Sequence, residues 1–502
     1  MDVERTGPPP KPRKIMVMCP VATDTTFGCH NNDLDTVVRG LLERVFYSLQ
    51  DGELRVPIGP MRPGIVKERL DPYLNQLVNI VRRTTVKPWS RDQYAESHPD
   101  GRKRIIYRRA VESLKFRELG RKDALLKTFV KCEKLNLTIK QDPAPRVIQP
   151  RDPRYNVEVG RYIKPLEHRI YRAINKVFGQ TVVAKGKNAT EVARMLYNKW
   201  GKFRCPVAVT FDISRYDQHH SRQHIEAEQR VYNGVYKDGY LKKILRWQIY
   251  CEGLVRTKDG RVRYSVEGTK SSGCVTTSTG AIIVVCGMVH DFMESIHVDK
   301  YGFVDMGDDN VVIVEEEHLE LLYRAEGYYR EMGFKLKIEN VAKIFERIVF
   351  CQCSPVMGSD GVYKMTRDPR VAISKDLTTT RNLPNKLEYD RHRQAVGDAG
   401  LALAADLPIW GAFYQFLKRG HQSDGQGTLR PSDSGLVWLS SRMEMRQCAP
   451  TAASRLSLFL AFDITPERQI AIENFFDGKA PEWGIPWFIP HWPSDPALFF
   501  QD

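Results

Sequence analysis

The sequence predicts a mixed α/β (α+β) fold, on three observations. The tripeptide Gly307-Asp308-Asp309 stands between two apolar, β-prone runs, 301–306 and 310–314, which is the pattern of a hairpin with a tight turn. A further apolar run, Val207-Ala208-Val209-Thr210-Phe211, ends on Asp212. Around these runs lie stretches with apolar residues at helical spacing. With 502 residues, 42% of them hydrophobic, the chain is long and apolar enough for several subdomains with cores of their own.

In chain order, residues 1–14 read as a polar lead ending in Pro8-Pro9-Pro10-Lys11-Pro12, expected to be extended and mobile. Helical spacing recurs over 33–49, with Asp33 or Asp35 as cap, over 67–82 and over 188–200. Between 102 and 172 the chain is strongly basic and interrupted by Pro143, Pro145, Pro150 and Pro153. The strand carrying Asp212 comes next, then a helical stretch over 222–251 rich in Tyr, Arg and Lys, a loop and strand over 258–264, and a Ser/Thr/Gly run over 269–280. An apolar helix to about 294, the Gly-Asp-Asp hairpin, a helix over 317–332 and a strand over 348–352 complete the middle of the chain. Past 360 the pattern is largely helical, and the tail over 483–500 is dense in Trp, Phe and Pro.

A formal charge of +15 favours a polyanionic partner, most simply nucleic acid, over solubility charge alone. Ten cysteines at irregular spacing suit a reduced protein. Cys351-Gln352-Cys353 is too close for a zinc pair, and Cys19, Cys29 and His30 lack a fourth ligand. The longest apolar run, 281–289, falls short of the ~18 residues of a membrane span. The start does not read as a signal peptide.

The acids carry the chemistry. Two carboxylates side by side at a hairpin tip repel one another and are stable as anions only with a cation. Asp212 ends a similar strand 96 positions before Asp308. Three such acids describe a magnesium site for phosphoryl transfer, with Asp212 and Asp308 as natural ligands and Asp309 in support. Asp217, five residues beyond Asp212, suits a sugar hydroxyl; a helix N-cap is its competing role. The run 271–280 places small hydroxylated residues around Gly273, a loop able to approach a ribose closely and to bond its 2′-hydroxyl. Lys131, Lys134 and Arg146 could cradle a triphosphate, Arg146 through its planar fork.

Together these blocks resemble the RNA-dependent RNA polymerases of positive-strand RNA viruses, specifically the tombusvirus-like group. In family order they are 142–151 with 155–162 (motif F region), 211–221 (motif A), 272–280 (motif B), 307–311 (motif C), Met332-Gly333-Phe334-Lys335-Leu336-Lys337 (motif D) and 350–356 (motif E). The segment 27–32 also matches, so the resemblance spans about 27–357. It implies a right hand of fingers, palm and thumb: N-terminal extension, fingers and fingertips over 1–204, palm with an RRM-like antiparallel sheet over 205–222 and 267–357, a second fingers segment over 223–266, and a helical thumb with tail over 358–502.

For the site, the resemblance implies metals on Asp212, Asp308 and Asp309. It implies ribose sensing by Asp217, Ser272 and Thr277, triphosphate binding by Lys131, Lys134 and Arg146, and Ile148 beside the templating base. Lys337 is the candidate general acid, with Lys335 its rival. Two positions depart from the pattern: Ala281 stands where the family has an Asn that bonds the second motif A aspartate, and Cys274 stands where it has an Asp. Asp217 must then find another partner, such as Ser272, Thr277 or water.

The expected activity is template-directed RNA synthesis from nucleoside triphosphates with Mg²⁺, or Mn²⁺ as substitute, initiated without a primer. For the tail over 483–502 two roles stand open: folding back toward the cleft to assist initiation, or packing on the thumb. Template RNA, nascent RNA, a viral membrane-anchoring replication protein and host factors are the expected partners, in host cytoplasm at membrane-associated replication complexes. A non-catalytic RNA-binding or coat protein leaves the strand-end acids unexplained. A metal-dependent nuclease shares the acids and is separated from a polymerase only by assay.

Overall fold

The computed structural model describes residues 1–18, 25–50, 52–99, 101–420, 435–445 and 448–481. The tail over 483–500, and Cys19 of the weighed zinc set, lie outside the described residues.

At the centre is a four-stranded antiparallel sheet. Gly302–Asp305 forms one edge, followed by Asp309–Glu315, Pro206–Ser214 and, at the other edge, Lys335–Ala342. The helix Thr277–Ser295 precedes the central hairpin, and the short helices Leu319–Leu322 and Ala325–Glu331 lead from it to the last strand. This is the order of a split βαβ unit. The run from Val207 to Phe211 shows no polar alternation because both of its faces are covered. Val207, Val209 and Phe211 pack with Ile282, Val285 and Val289 of the long helix. Ala208 packs on the other side with Val311 and Ile313, against the helix Ala189–Trp200 and the C-terminal helices. Side chains of one strand alternate between faces, so Asp212 belongs to the Ala208 side.

A second, five-stranded sheet orders Asp2–Arg5, Gly260–Glu267, Tyr250–Arg256, Leu126–Val130 and Val147–Ile148. Two expectations are corrected here. The polar lead is not wholly irregular: Asp2 pairs with Arg263 and Arg5 with Gly260, giving that sheet an edge strand. The helical stretch over 222–251 divides into Arg222–Tyr236 and Gly239–Arg246 and ends before Tyr250. From there burial alternates, with Cys251, Gly253 and Val255 inward, which is the period of a strand.

The strand expected over 348–352 is also absent. Cys351 and Gln352 have φ of 51° and 60°, left-handed values that turn the chain, so only a Phe350–Cys353 bridge forms and the strand begins at Ser354. The helix expected over 33–49 runs only from Leu34 to Leu41 and then widens into a π turn over Leu42–Phe46. Asp33 caps it, accepting the Thr36 N–H at 2.8 Å. The helix expected over 317–332 is broken into short pieces. Beyond 360 the helices Lys386–Ala404, Trp410–Lys418, Ala452–Phe462 and Pro466–Phe476 share one core in which buried Trp410 stacks on Tyr414. No helix among the described residues is long and apolar enough to cross a membrane.

Candidate active site

Strand register sets the site. Asp309 is the direct cross-strand partner of Asp212, and Lys337 is its partner on the other side. Register partners in antiparallel strands project from the same face, so Asp309, Asp212 and Lys337 form a row across three strands. The turn before Asp309 is closed by the Met306 N–H donating to the Asp309 carbonyl at 2.9 Å. It needs glycine at 307, where φ is +100°. Asp308 on that turn lines a cleft of about 730 Å³ together with Asp212, Asp217, Ser272, Lys131, Arg146 and Ile148.

The carboxylates repel one another. Asp308 and Asp309 both reach water, and Asp308 lines the cleft. Desolvation by the surrounding protein, and after it the charges of Asp308 and Asp212, push the Asp309 carboxyl up to about 6. Burial and the Asp212 charge also raise Asp308. Asp217 is pushed up to about 7, by burial first and Asp308 second, against the pull of Lys270, Arg146 and Arg44. In their present rotamers no group of three or more His, Cys, Asp or Glu is gathered tightly enough to hold an ion, among the described residues. The backbone nonetheless puts three carboxylates at neighbouring positions where mutual repulsion favours a cation. An all-oxygen donor set of this kind suits Mg²⁺ or Mn²⁺.

Around Asp217 the structure holds a buried ion pair. Lys270 Nζ meets both Glu228 carboxylate oxygens at 2.5 Å, and the Lys270 backbone N–H donates to the Asp217 carbonyl at 2.7 Å. A Cβ at Gly280 would lie 1.6 Å from Glu228 Oε2, so the helix passes this pair only with glycine there. Ala281 sits directly beneath the Gly307 turn. The Thr277 hydroxyl donates to the Ser271 carbonyl at 2.8 Å, which ties it to the loop rather than to Asp217. Asp217 itself lies in the first turn of the short helix Tyr216–His219, whose N-cap is Arg215.

A model of the family described as viral RNA dependent RNA polymerase matches residues 1–484. The chain belongs to that family. Over 475 residues it is 37% identical to the RNA-directed RNA polymerase of Turnip crinkle virus, covering 93% of this chain and 60% of the relative. It is 39% identical to that of Pothos latent virus (isolate Pigeonpea/India) over 94% of this chain and 62% of the relative. It is 38% identical to that of Tobacco necrosis virus (strain A) over 94% and 65%. The chain thus spans less than two thirds of the length of these relatives.

Not every residue singled out in this family member reaches the cleft. Lys134 donates to the carbonyls of Lys375 and Thr378, both at 2.6 Å, and so ties two segments together. Lys337 is exposed beside Glu339, at 3.6 Å. Among the described residues, five basic ones that sequence patterns did not single out do line the cleft: Arg39, Arg44, Lys140, Arg215 and Lys270. Arg44 comes from the π turn, and its buried Nε has no hydrogen-bond partner among the described residues. Burial, then the charges of Arg146 and Arg215, push its guanidinium down to about 10. Arg215 donates to the Glu43 carbonyl at 2.7 Å, which joins motif A to that turn. Arg44 toward the end of an amphipathic helical stretch and Arg215 inside the motif A block are traces of this cluster in the sequence.

Proposed function

We propose that the chain is the copying part of a positive-strand RNA virus replicase, a template-directed nucleotidyl transferase that takes an RNA template and nucleoside triphosphates and releases pyrophosphate. The observation that carries this is the Asp212–Asp309 register pair, with Asp308 beside it on a cleft that Arg44, Lys131, Arg146 and Arg215 also line. Acids alone would repel a triphosphate, and cations alone would bind one without reacting. The two sets together suit transfer of a nucleotidyl group.

Asp212, Asp308 and Asp309 would hold a pair of divalent ions, which activate a 3′-hydroxyl and relieve charge at the departing pyrophosphate. Arg146, Arg44, Arg215 and Lys131 receive the triphosphate, and its negative charge relieves the repulsion among them. Asp217 and Ser272 accept and donate at the ribose hydroxyls, with Thr277 bracing the loop that carries Ser272. Ile148 packs near the templating base. Lys337, whose backbone is in register with Asp212, is the proposed proton donor to the leaving pyrophosphate, which requires its ammonium to leave Glu339 for the cleft; Lys335, two residues along the same strand, is the rival donor.

In this account the right hand has its palm on the four-stranded sheet, its fingers on the five-stranded sheet with the helices around it, and its thumb on the helices past 358. Initiation without a primer, a membrane-anchoring viral partner, host factors and a cytoplasmic replication complex belong to the same proposal. Labelled nucleotide incorporation on an RNA template tests it. Template-length product from wild type and none from Asp308→Ala is the expected result. A shortened template means a nuclease, and binding without product means a coat or packaging protein.

A further inference from the structure

A second concavity, of about 700 Å³, lies between the start of the helix Arg222–Tyr236, the helix Gly239–Arg246 and the ends of the strands Tyr250–Arg256 and Gly260–Glu267. It shares no lining residue with the cleft that holds Asp212 and Asp308. Five cations face it: Arg121, Arg222, Lys242, Lys243 and Arg246. Among the described residues two carboxylates line it, Glu226 and Glu267, and Arg222 engages both, at 2.9 and 3.0 Å. The other four cations are exposed.

Lys243 and Arg246 sit in the last turn of their helix, where the helix dipole favours positive charge. That dipole does not account for Arg121, which arrives from a distant segment, nor for Lys242, one turn before Arg246 on the same face, where like charges repel. Tyr250 adds a ring that is 48% exposed at the rim, and half-buried Trp247 lies beside it. A concavity that pairs unneutralised cations with an accessible ring fits a strand whose phosphates need charge and whose bases need a stacking surface.

We propose that this concavity is a binding site for single-stranded RNA, separate from the catalytic cleft, in which Arg121, Lys242, Lys243 and Arg246 hold phosphates and Tyr250 stacks a base. The choice of RNA rests on the proposed function of the chain. An anionic membrane surface would satisfy the cations but gives Tyr250 no stacking partner.

The test uses the full chain and a labelled homopolymeric single-stranded RNA, with binding followed by fluorescence anisotropy across a salt series. For Lys242→Ala/Lys243→Ala/Arg246→Ala the affinity falls and the slope of log affinity against log salt drops by about 2, from roughly 0.7 per lost phosphate contact. For Tyr250→Ala the affinity falls by about tenfold, with the slope unchanged. Incorporation on a template too short to leave the cleft stays at the wild-type rate in both variants, while half-saturation on a long template moves to higher concentration. Three results overturn the proposal: an unchanged salt slope, equal loss of rate on short and long templates, or lost binding to phosphatidylserine vesicles with RNA affinity intact. Failure of wild type to incorporate nucleotide would remove the polymerase reading, while the salt slope would still decide the RNA site.

Discussion

Asp212 and Asp309 face each other as register partners on adjacent antiparallel strands, and Lys337 faces Asp212 from the opposite neighbour. A one-residue slip in either pairing would turn a member of this row to the face packed on the long helix. Such a slip is opposed by the apolar residues behind the row, since Val207, Val209 and Phe211 would lose their places against the long helix. The core therefore fixes the position of the acids.

The raised carboxyls give a pH signature. Asp309 at about 6 and Asp217 at about 7 both lie above the ordinary value of about 4. The native state then keeps protons that the unfolded chain has released, so stability falls as pH rises through that window. Mg²⁺ should raise the melting temperature more at about pH 8 than at about pH 5, because only ionised acids need the cation. Asp309→Asn should flatten the difference; an equal Mg²⁺ effect at both pH values would contradict it.

Lys337→Ala should lower turnover by about 10²–10⁴-fold with nucleotide binding largely intact, if this ammonium protonates pyrophosphate. Single-turnover incorporation against nucleotide concentration separates rate from binding. An unchanged rate, with loss in Lys335→Ala, moves the role two residues along the strand.

Lys270→Ala should cost about 3–5 kcal/mol of stability, because Glu228 is left buried and charged without its partner. Replacing the pair together, Lys270→Met/Glu228→Leu, should recover much of that loss. Urea unfolding midpoints read both. Equal midpoints for Lys270→Ala and wild type would mean that the pair contributes nothing.

The positions of the acids were legible in the sequence because each borders an apolar run, and such runs mark strands whatever surrounds them. Asp33 as a cap and the helix Ala189–Trp200 were legible for a similar reason, since capping and helical spacing are local. The strand Tyr250–Arg256 was not, because helical spacing runs up to Arg246 and the alternation starts only a few residues later. The turn at Cys351 and Gln352 was hidden because its left-handed residues are neither Gly nor Asn. Arg44 and Arg215 were missed because the contact between the π turn and motif A is made in space, and no spacing records it. Lys134 misled for the converse reason: beside Lys131 in the chain, it is held by carbonyls at 375 and 378.

Whether Asp212, Asp308 and Asp309 share divalent ions is tested most directly by Mn²⁺ titration of the protein, with free ion followed by electron paramagnetic resonance. The account predicts that wild type takes up Mn²⁺ and that Asp212→Asn and Asp309→Asn each weaken uptake, although the two residues come from different strands. Uptake equal to wild type in both variants would contradict it.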